Sequence, residues 1–318
     1  MNPPDPVGVG DDGGGKDAAR SDPEPTQSHP TLSRKRRLWI WTGALLAAAA
    51  IGLIYLSSGS PAGETRSPVV QELPDHDVFT RVLAEVVQIP LVDYQAVRER
   101  RPTLDRYIDM LARTDPQALE AASREERLAF WINAYNACML RIVDEHYPIE
   151  RGGVGLFGRV RNLVAGYPEN SVWQIRDVFT RDHCPVAGRN RSQDEIEHEI
   201  IRPRFQEPRI HFAVNCAALS CPILWPEAYE GERLEAQLER AVEHFMDTPE
   251  HFRLEPGPPA TLHLNKVLDW YQEDFGGERG LKEFFAPYLE GVDREVVLRE
   301  ATRVRFVDYD WHLNDVPR

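Results

Sequence analysis

Two cysteines five residues apart are the most reactive side chains in this sequence. They lie in the stretch IHFAVNCAALSCPIL, residues 210–224, where Cys216 follows Asn215 and Cys221 precedes a proline. A thiolate can act as a nucleophile, as a metal ligand or as half of a disulfide, and a buried thiol can also be a small apolar side chain. The residue types therefore leave four alternatives open: a nucleophile, a disulfide, a metal site or simple packing.

A nucleophilic cysteine needs a base and a group that orients the base. Glu197 and His198 are adjacent in DEIEHEIIRP, and a Cys with a His and a carboxylate or Asn is the arrangement of papain-like thiol enzymes. The chain order here is Asn, His, Cys, whereas papain relatives have the cysteine first. The candidate catalytic residues are Cys216, His198, Glu197, Asn136, Asn215 and Cys221.

The disulfide and the metal site are each disfavoured by the spacing of the two cysteines. A Cys216–Cys221 disulfide would close a loop of six residues, which is worth about 2 kcal/mol, but the intervening AALS offers no glycine for the tight turn. Zinc held by His198, His211 and the two cysteines would have a C-x4-C spacing looser than typical structural sites. No cofactor motif occurs, so no cofactor or metal is predicted.

The remaining two cysteines are interpreted separately. Cys138 falls inside an apolar helical stretch and is predicted to be a core residue. Cys184 lies in the predicted loop RDHCPVAG, and its role is left open.

The compartment of these thiols depends on residues 38–56, LWIWTGALLAAAAIGLIYL, which contain no charge. A bilayer-spanning helix needs roughly 20 apolar residues, so this length predicts a transmembrane helix. The basic run 34–37 precedes it, and only Arg66 is cationic in the 15 residues that follow. The positive-inside rule then predicts a cytoplasmic N-terminus and an extracytoplasmic main domain, where disulfides persist. A cleaved signal peptide is the rival interpretation.

The flanking segments complete the domain organisation. Residues 1–37 are rich in Pro, Gly and Asp and predict a disordered cytoplasmic tail, residues 57–74 predict a linker, and residues 75–318 predict one large domain. The net charge of -14 argues against nucleic-acid binding. The expected contacts are with the membrane through the N-terminal helix and with a peptide or another protein of the cell envelope.

The clearest helix in the domain covers residues 124–146, with Ser123 and Glu126 forming a capping box. Its apolar positions go nearly all the way round, which is typical of a central buried helix. Asn136 lies among them and needs hydrogen bonds. It either holds the backbone of a neighbouring loop or faces a site.

A second helix is predicted over residues 192–205, capped by Ser192 and ending before Pro203. Glu197 lies in the middle of its apolar arc. Such a carboxylate either forms an internal salt bridge, with Arg202 or Arg209, or serves as a general base.

Further elements follow from periodicity. Strands are predicted at 172–178, 209–215, 251–255, 261–264 and 303–309, and helices at 232–247 and 265–275. The strands 251–255 and 261–264 are expected to form a hairpin around PGPPA, residues 256–260. The expected fold class is α+β, a helix-rich globular domain with a small, mainly antiparallel sheet, preceded by one transmembrane helix.

Five motifs together resemble the domain-of-unknown-function family numbered 547: FWINAYNA (130–137), DEIEHEIIRP (194–203), RIHFAVNCAALSCP (209–222), LDWYQEDFGG (268–277) and YDWHLN (309–314). The resemblance implies a mostly bacterial, often exported domain with no agreed activity. It adds Asn133 to the polar residues already named. The family often has Gly or Ser after the Asn-Cys pair, where this chain has Ala217, and Ser-Lys where it has Asn265-Lys266.

Buried polar side chains are most easily satisfied by one another. We therefore expect Asn136, Glu197, His198, Asn215 and Cys216 to converge on one polar cluster, catalytic or structural. Two functions stay open: a thiol-dependent hydrolase or transferase acting on peptide or amide bonds, and a non-catalytic binding or scaffold domain with a Cys216–Cys221 disulfide.

Overall fold

Helices dominate the first half of the domain. A computed structural model describes residues 73–150 and 154–317 of the chain. Its first elements, in order, are α1 (Asp77–Val86), the short antiparallel strands β1 (Val87–Gln88) and β2 (Leu91–Val92), α2 (Tyr94–Arg113), α3 (Pro116–Ala121) and α4 (Arg124–His146).

Helix α4 is the centre of the core, as the sequence predicts. The Ser123 hydroxyl accepts a hydrogen bond from the Glu126 backbone N–H, and the Glu126 carboxylate accepts one from the Ser123 backbone N–H, so the predicted capping box is confirmed. Nearly every residue from Leu128 to Val143 is buried, because α2 packs along one side and other segments cover the rest. The stability of α4 therefore comes mainly from burial of its whole circumference.

The middle of the chain is less regular. Its elements are α5 (Gly155–Val164), a 3-10 turn (Val172–Gln174), the antiparallel strands β3 (Cys184–Val186) and β4 (Arg189–Arg191), a π-helix (Glu195–Ile201), α6 (Arg202–Phe205) and a second 3-10 helix (Pro208–Phe212).

Three predictions for this part of the chain are wrong in detail. The helix predicted to end before Pro203 continues through it as α6, because a proline in a first helical turn removes no intrahelical bond. The segments 172–178 and 209–215 contain 3-10 turns where strands were predicted. Residues 210–217 are all buried, so their apolar alternation does not mark two faces of a strand.

The last part of the chain mixes helices with a three-stranded sheet. Its elements are α7 (Leu234–Met246), β5 (Phe252–Glu255), β6 (Thr261–Asn265), α8 (Val267–Trp270), a 3-10 turn (Gln272–Phe275), α9 (Gly277–Phe285), α10 (Gly291–Leu298) and β7 (Arg303–Val307). β6 pairs antiparallel with β5 and parallel with β7. The predicted hairpin and last strand are confirmed, whereas the predicted helix 265–275 is broken after Trp270.

The architecture of the described residues is α+β and helix-rich, with three small sheets instead of the one predicted. Among the helices of the described residues, none is both long and apolar enough to cross a membrane. The predicted tail, the transmembrane helix 38–56 and nearly all of the linker lie outside the described residues.

A disulfide joins Cys138 of α4 to Cys184 of β3. Cys138 is a core residue, as predicted, but the disulfide was not predicted from the sequence. Both sulfurs are buried, and the bond ties the central helix to a hairpin 46 residues away in sequence.

Candidate functional site

Two asparagines fix the backbone on which the free thiols lie. The Asn136 side chain donates to the Ala213 carbonyl at 3.0 Å and accepts from the Asn215 backbone N–H at 2.9 Å. Asn215 in turn accepts from the Ala217 N–H at 2.9 Å and donates to the Pro222 carbonyl at 2.8 Å. The interpretation of Asn136 as a clamp on a neighbouring loop is confirmed.

Asn133, one turn earlier on α4, makes the same kind of clamp on another segment. Its side chain donates to the Tyr229 carbonyl at 2.8 Å and accepts from the Tyr229 N–H at 2.9 Å. The two amides thus satisfy buried backbone groups that no strand or helix pairs.

Cys216 and Cys221 are separate thiols at the centre of this frame. Their sulfur atoms are 3.0 Å apart, both side chains are buried, and no disulfide joins them. The predicted alternative of a Cys216–Cys221 disulfide is therefore not the arrangement found. The Cys216 backbone N–H points at the Cys221 sulfur at 2.9 Å, which holds the turn closed. Ala217 adopts a left-handed conformation, with φ 62, in this glycine-free turn.

The Cys216 sulfur is surrounded by hydrogen-bond donors. The Tyr309 hydroxyl lies 3.1 Å from it, and the Cys221 thiol and the Ala218 backbone N–H also contact it. Burial acts to raise the pKa of Cys216, but these donors outweigh it and lower the pKa below the usual thiol value. Burial and the neighbouring Cys216 raise the pKa of Cys221 well above that value. Of the two sulfurs, Cys216 therefore ionises first, and Cys221 keeps its proton.

Glu197 is fully buried in the π-helix and makes none of the predicted salt bridges. Arg202 pairs with Asp274, and Arg209 pairs with Glu207 and Glu235. Neither Glu197 carboxylate oxygen has a hydrogen bond of good geometry among the described residues.

Two tyrosines are the polar groups around Glu197. Burial and the Glu197 charge raise the pKa of the Tyr271 hydroxyl well above its usual value, and the same two causes act on Tyr135. The Tyr135 hydroxyl is also buried without a partner in the described part of the chain. A buried carboxylate that lacks firm partners costs folding free energy, so this cluster is a candidate site rather than a simple core contact.

His198 belongs to a different polar group from the thiols. Its Nδ1 lies 3.0 Å from an Arg202 nitrogen, and Arg202 donates two hydrogen bonds to Asp274, at 2.6 and 2.8 Å. Burial lowers the pKa of His198. The ring therefore accepts from the arginine through Nδ1, which leaves that nitrogen unable to accept a proton from a thiol.

His211 completes this ionic group. Its Nε2 lies 2.7 Å from an Asp274 oxygen, and its ring stacks on Tyr271 at a centroid distance of 4.0 Å. Although burial acts to raise the pKa of Asp274, its contacts with His211 and Arg202 lower it far below the usual range. No group of three or more potential metal ligands occurs among the described residues, so His211 does not join the cysteines in the zinc arrangement considered from the sequence.

A cavity of about 250 Å³ opens beside this ionic group. It is lined by Arg202, Gln206, Glu207, Pro208 and Asp274.

The predicted cluster is thus assembled in part. Asn136 hydrogen-bonds to Asn215, Cys216 hydrogen-bonds to Cys221, and Asn215 also donates to the Pro222 carbonyl next to Cys221. Glu197 influences the pKa of Cys216 electrostatically without bonding to it, and His198 bonds to Arg202 instead.

A comparison with known families bears on the resemblance that the sequence motifs suggested. A family described as "Protein of unknown function, DUF547" matches residues 119–246. This match supports the predicted family. No curated protein and no solved structure matches the chain.

The matched segment contains Asn136, Glu197 and both free thiols, but it ends before three side chains that complete the site. Tyr271, Asp274 and Tyr309 were not among the candidates named from the sequence. They lie in the motifs LDWYQEDFGG and YDWHLN, which carried the resemblance, and the position of a polar residue in such a motif was the available signal.

Proposed function

We propose that this domain of unknown function performs thiol–disulfide exchange, with Cys216 as the attacking thiolate and Cys221 as the second thiol. The observation that carries the proposal is the pair of free sulfurs 3.0 Å apart, with the Tyr309 hydroxyl 3.1 Å from the Cys216 sulfur. A low-pKa thiol beside a resolving thiol is what this chemistry requires.

The exchange proceeds in two balanced steps. The Cys216 thiolate attacks one sulfur of a partner disulfide, the partner's S–S bond breaks, and the departing partner sulfur takes up a proton. Cys221 then loses its proton and attacks the Cys216 sulfur, which breaks the mixed disulfide and releases the second partner sulfur as a thiol. Two electrons and two protons pass from the domain to the partner, and the domain gains a Cys216–Cys221 disulfide.

Access to the sulfurs requires the turn between them to open. The backbone of Leu219 donates to the His312 carbonyl at 2.8 Å, and Ser220 donates to the Asp310 carbonyl at 3.2 Å. Leu219 is 43% exposed at the tip of this turn. The Asn314 backbone also donates to the Ala217 carbonyl, and the Asn265 side chain donates to the Ser220 carbonyl. The opening that we propose breaks all of these contacts and leaves the clamp made by Asn136 in place.

The test is to trap the mixed disulfide. The Cys221→Ser variant should accumulate a Cys216 adduct with oxidised glutathione, because nothing resolves it, and Cys216→Ser should not form an adduct at Cys221. Intact-mass measurement with peptide mapping identifies the modified residue. Trapping by both variants to the same extent, or by neither under native conditions, would refute the proposal and favour the scaffold domain.

A thiol-dependent hydrolase or transferase acting on peptide or amide bonds is the second candidate. The observation in its favour is the buried Glu197 carboxylate, which has no hydrogen bond of good geometry among the described residues and acts electrostatically on Cys216. If the domain is a hydrolase or transferase, Glu197→Gln should abolish acylation of Cys216 by an activated ester. If the domain performs thiol–disulfide exchange, adding Glu197→Gln to the Cys221→Ser variant should change the amount of trapped glutathione by no more than about twofold. The reason is that no step of the exchange uses the carboxylate.

We also propose that residues 38–56 anchor the chain in a membrane with the domain outside the cytoplasm. The support is the uncharged apolar run and the basic residues 34–37 before it. Protease added to intact cells should digest the domain. Protection of the domain until the membrane is permeabilised would refute this topology.

A further inference from the structure

Helix α5 presents its apolar side to solvent. Five of its ten residues are large apolar side chains with more than half of their surface exposed. They are Leu156, Phe157, Val160, Leu163 and Val164, with exposures from 55% to 91%. The other described exposed apolar residues, such as Ile89 and Leu219, are scattered singly. Contiguous exposed apolar surface of this kind marks an interaction site.

The orientation of α5 is fixed by its polar side. Asn162 is buried and donates to the Trp173 carbonyl at 2.7 Å and to the Gln174 side chain at 3.2 Å. At about 100° per residue, Asn162 and Gly158 face the domain, and the five apolar residues span an arc of about 120° on the opposite side. A helix of a soluble domain normally buries the apolar arc, so α5 has the reverse arrangement.

The charges on α5 border the apolar arc. Arg159 lies at one edge of it and Arg161 at the other, and no acidic residue occurs between Val154 and Tyr167. The whole chain, by contrast, has a net charge of -14. Arg161 also lies over the Trp173 ring at 5.8 Å, which directs its guanidinium along the side of the helix. An apolar stripe with cationic edges is typical of helices that lie in the interface of an anionic membrane.

From this geometry we infer that α5 docks on the surface of a bilayer containing anionic lipid. Leu156, Phe157 and Leu163 enter the acyl boundary, and Arg159 and Arg161 contact the headgroup phosphates. A second copy of the chain is a poorer occupant, because an α5–α5 contact would bring the cationic edges of two copies together, Arg159 and Arg161 of each. The inference rests on the proposed anchor at 38–56, which would keep the domain near a bilayer.

The test uses the full chain in lipid nanodiscs and hydrogen exchange of the peptide that covers Gly155–Val164. Discs of phosphatidylcholine with phosphatidylglycerol should slow exchange in this peptide about tenfold relative to discs of phosphatidylcholine alone. The variant L156Q/F157Q/L163Q should lose this protection. Its folding should be intact, because the replaced side chains are exposed and Asn162 keeps its contacts. The variant R159Q/R161Q should lose the dependence on phosphatidylglycerol.

A matched control replaces two exposed apolar residues of α10. V292Q/L298Q removes side chains that are 69% and 48% exposed on a different helix and should leave exchange in the α5 peptide unchanged. Equal exchange in both kinds of disc, with the chain incorporated, would overturn the docking but not the anchor. Protection that rises with protein concentration would indicate a second copy and also overturn it. A chain that elutes apart from both kinds of disc would overturn the anchor and the docking together.

Discussion

Cys138 and Cys184 lie on two different elements and are joined by a disulfide, whereas Cys216 and Cys221 lie in one turn and keep separate thiols. All four side chains are buried, with exposures of 0 to 4%. The burial of a cysteine therefore does not reveal its role in this domain. The partners of each sulfur differ, and these partners distinguish a covalent tie from a candidate reactive site.

The surroundings of the two pairs show the difference. The disulfide holds α4 against β3 inside the hydrophobic core, where it joins segments distant in sequence. The free pair is fixed by Asn136 and Asn215, and the Tyr309 hydroxyl lies beside Cys216. Hydrogen-bond donors around a sulfur stabilise a thiolate, which a structural cysteine does not need.

The largest effect should come from removing the disulfide. Replacing both Cys138 and Cys184 by alanine should lower the free energy of unfolding by about 4 kcal/mol, because the bond closes a long loop in the unfolded chain. Replacing both Cys216 and Cys221 by alanine should cost only about 1–2 kcal/mol in lost packing and hydrogen bonds. Urea denaturation followed by tryptophan fluorescence measures both. Equal losses would remove the distinction between the pairs.

Asn136→Ala should cost about 2 kcal/mol, since it strands the Ala213 carbonyl and the Asn215 N–H. It should also raise the alkylation rate of Cys216 in the folded protein, because the thiol turn loses its support. Asn133→Ala is the matched control, as it strands the Tyr229 backbone to a similar extent. Both variants should unfold at lower urea concentration, and only Asn136→Ala should raise the alkylation rate of Cys216. A raised alkylation rate of Cys216 in both variants would contradict the specific role of Asn136.

The pH dependence of alkylation separates the two free thiols. Because the donors around Cys216 lower its pKa, iodoacetamide should modify it below pH 8, and the rate should rise with pH through that lowered pKa. Tyr309→Phe removes one donor to the thiolate, so the pH midpoint of alkylation should move to higher pH. Mass-spectrometric quantification of the Cys216 peptide across pH is the measurement. An unchanged midpoint would mean that Tyr309 does not stabilise the thiolate.

The smallest effect concerns the turn between the thiols. Ala217 has φ 62, which costs an L-residue free energy that glycine avoids. Ala217→Gly should therefore be more stable than Ala218→Gly by about 1 kcal/mol. Ala218 is the control because it is equally buried and lacks a positive φ. Equal stabilities, measured by urea denaturation, would show that the strain in the turn is negligible.

Local patterns in the sequence predicted the parts of the fold that local physics determines. The capping box and the continuous apolar surface predicted the bounds of α4, and the segment PGPPA predicted the turn between β5 and β6. The segment 209–215 was mispredicted because its backbone pairs with the Asn136 side chain instead of with a neighbouring strand. Such a pairing depends on a residue 77 positions away and leaves no local periodicity.

The site was predictable only as a set of side chains. Asn136 and Asn215 were identified because buried amides need partners, and both have them. The partner of Cys138 could not be identified, since a cysteine in an apolar helix has the same pattern whether it is bonded or free. The donor Tyr309 lies 93 residues from Cys216 in sequence, and nothing in its own neighbourhood points to a thiol.

That separation has a consequence for the order of synthesis. A ribosome that has completed the turn with Cys216 and Cys221 must add about 90 more residues before Tyr309 and the 310–314 backbone can cover it. During that interval the asparagine clamps can form, but the thiol turn lacks its outer contacts. We expect these thiols in a nascent chain to be open to mispairing with Cys138 or Cys184 until the covering segment arrives.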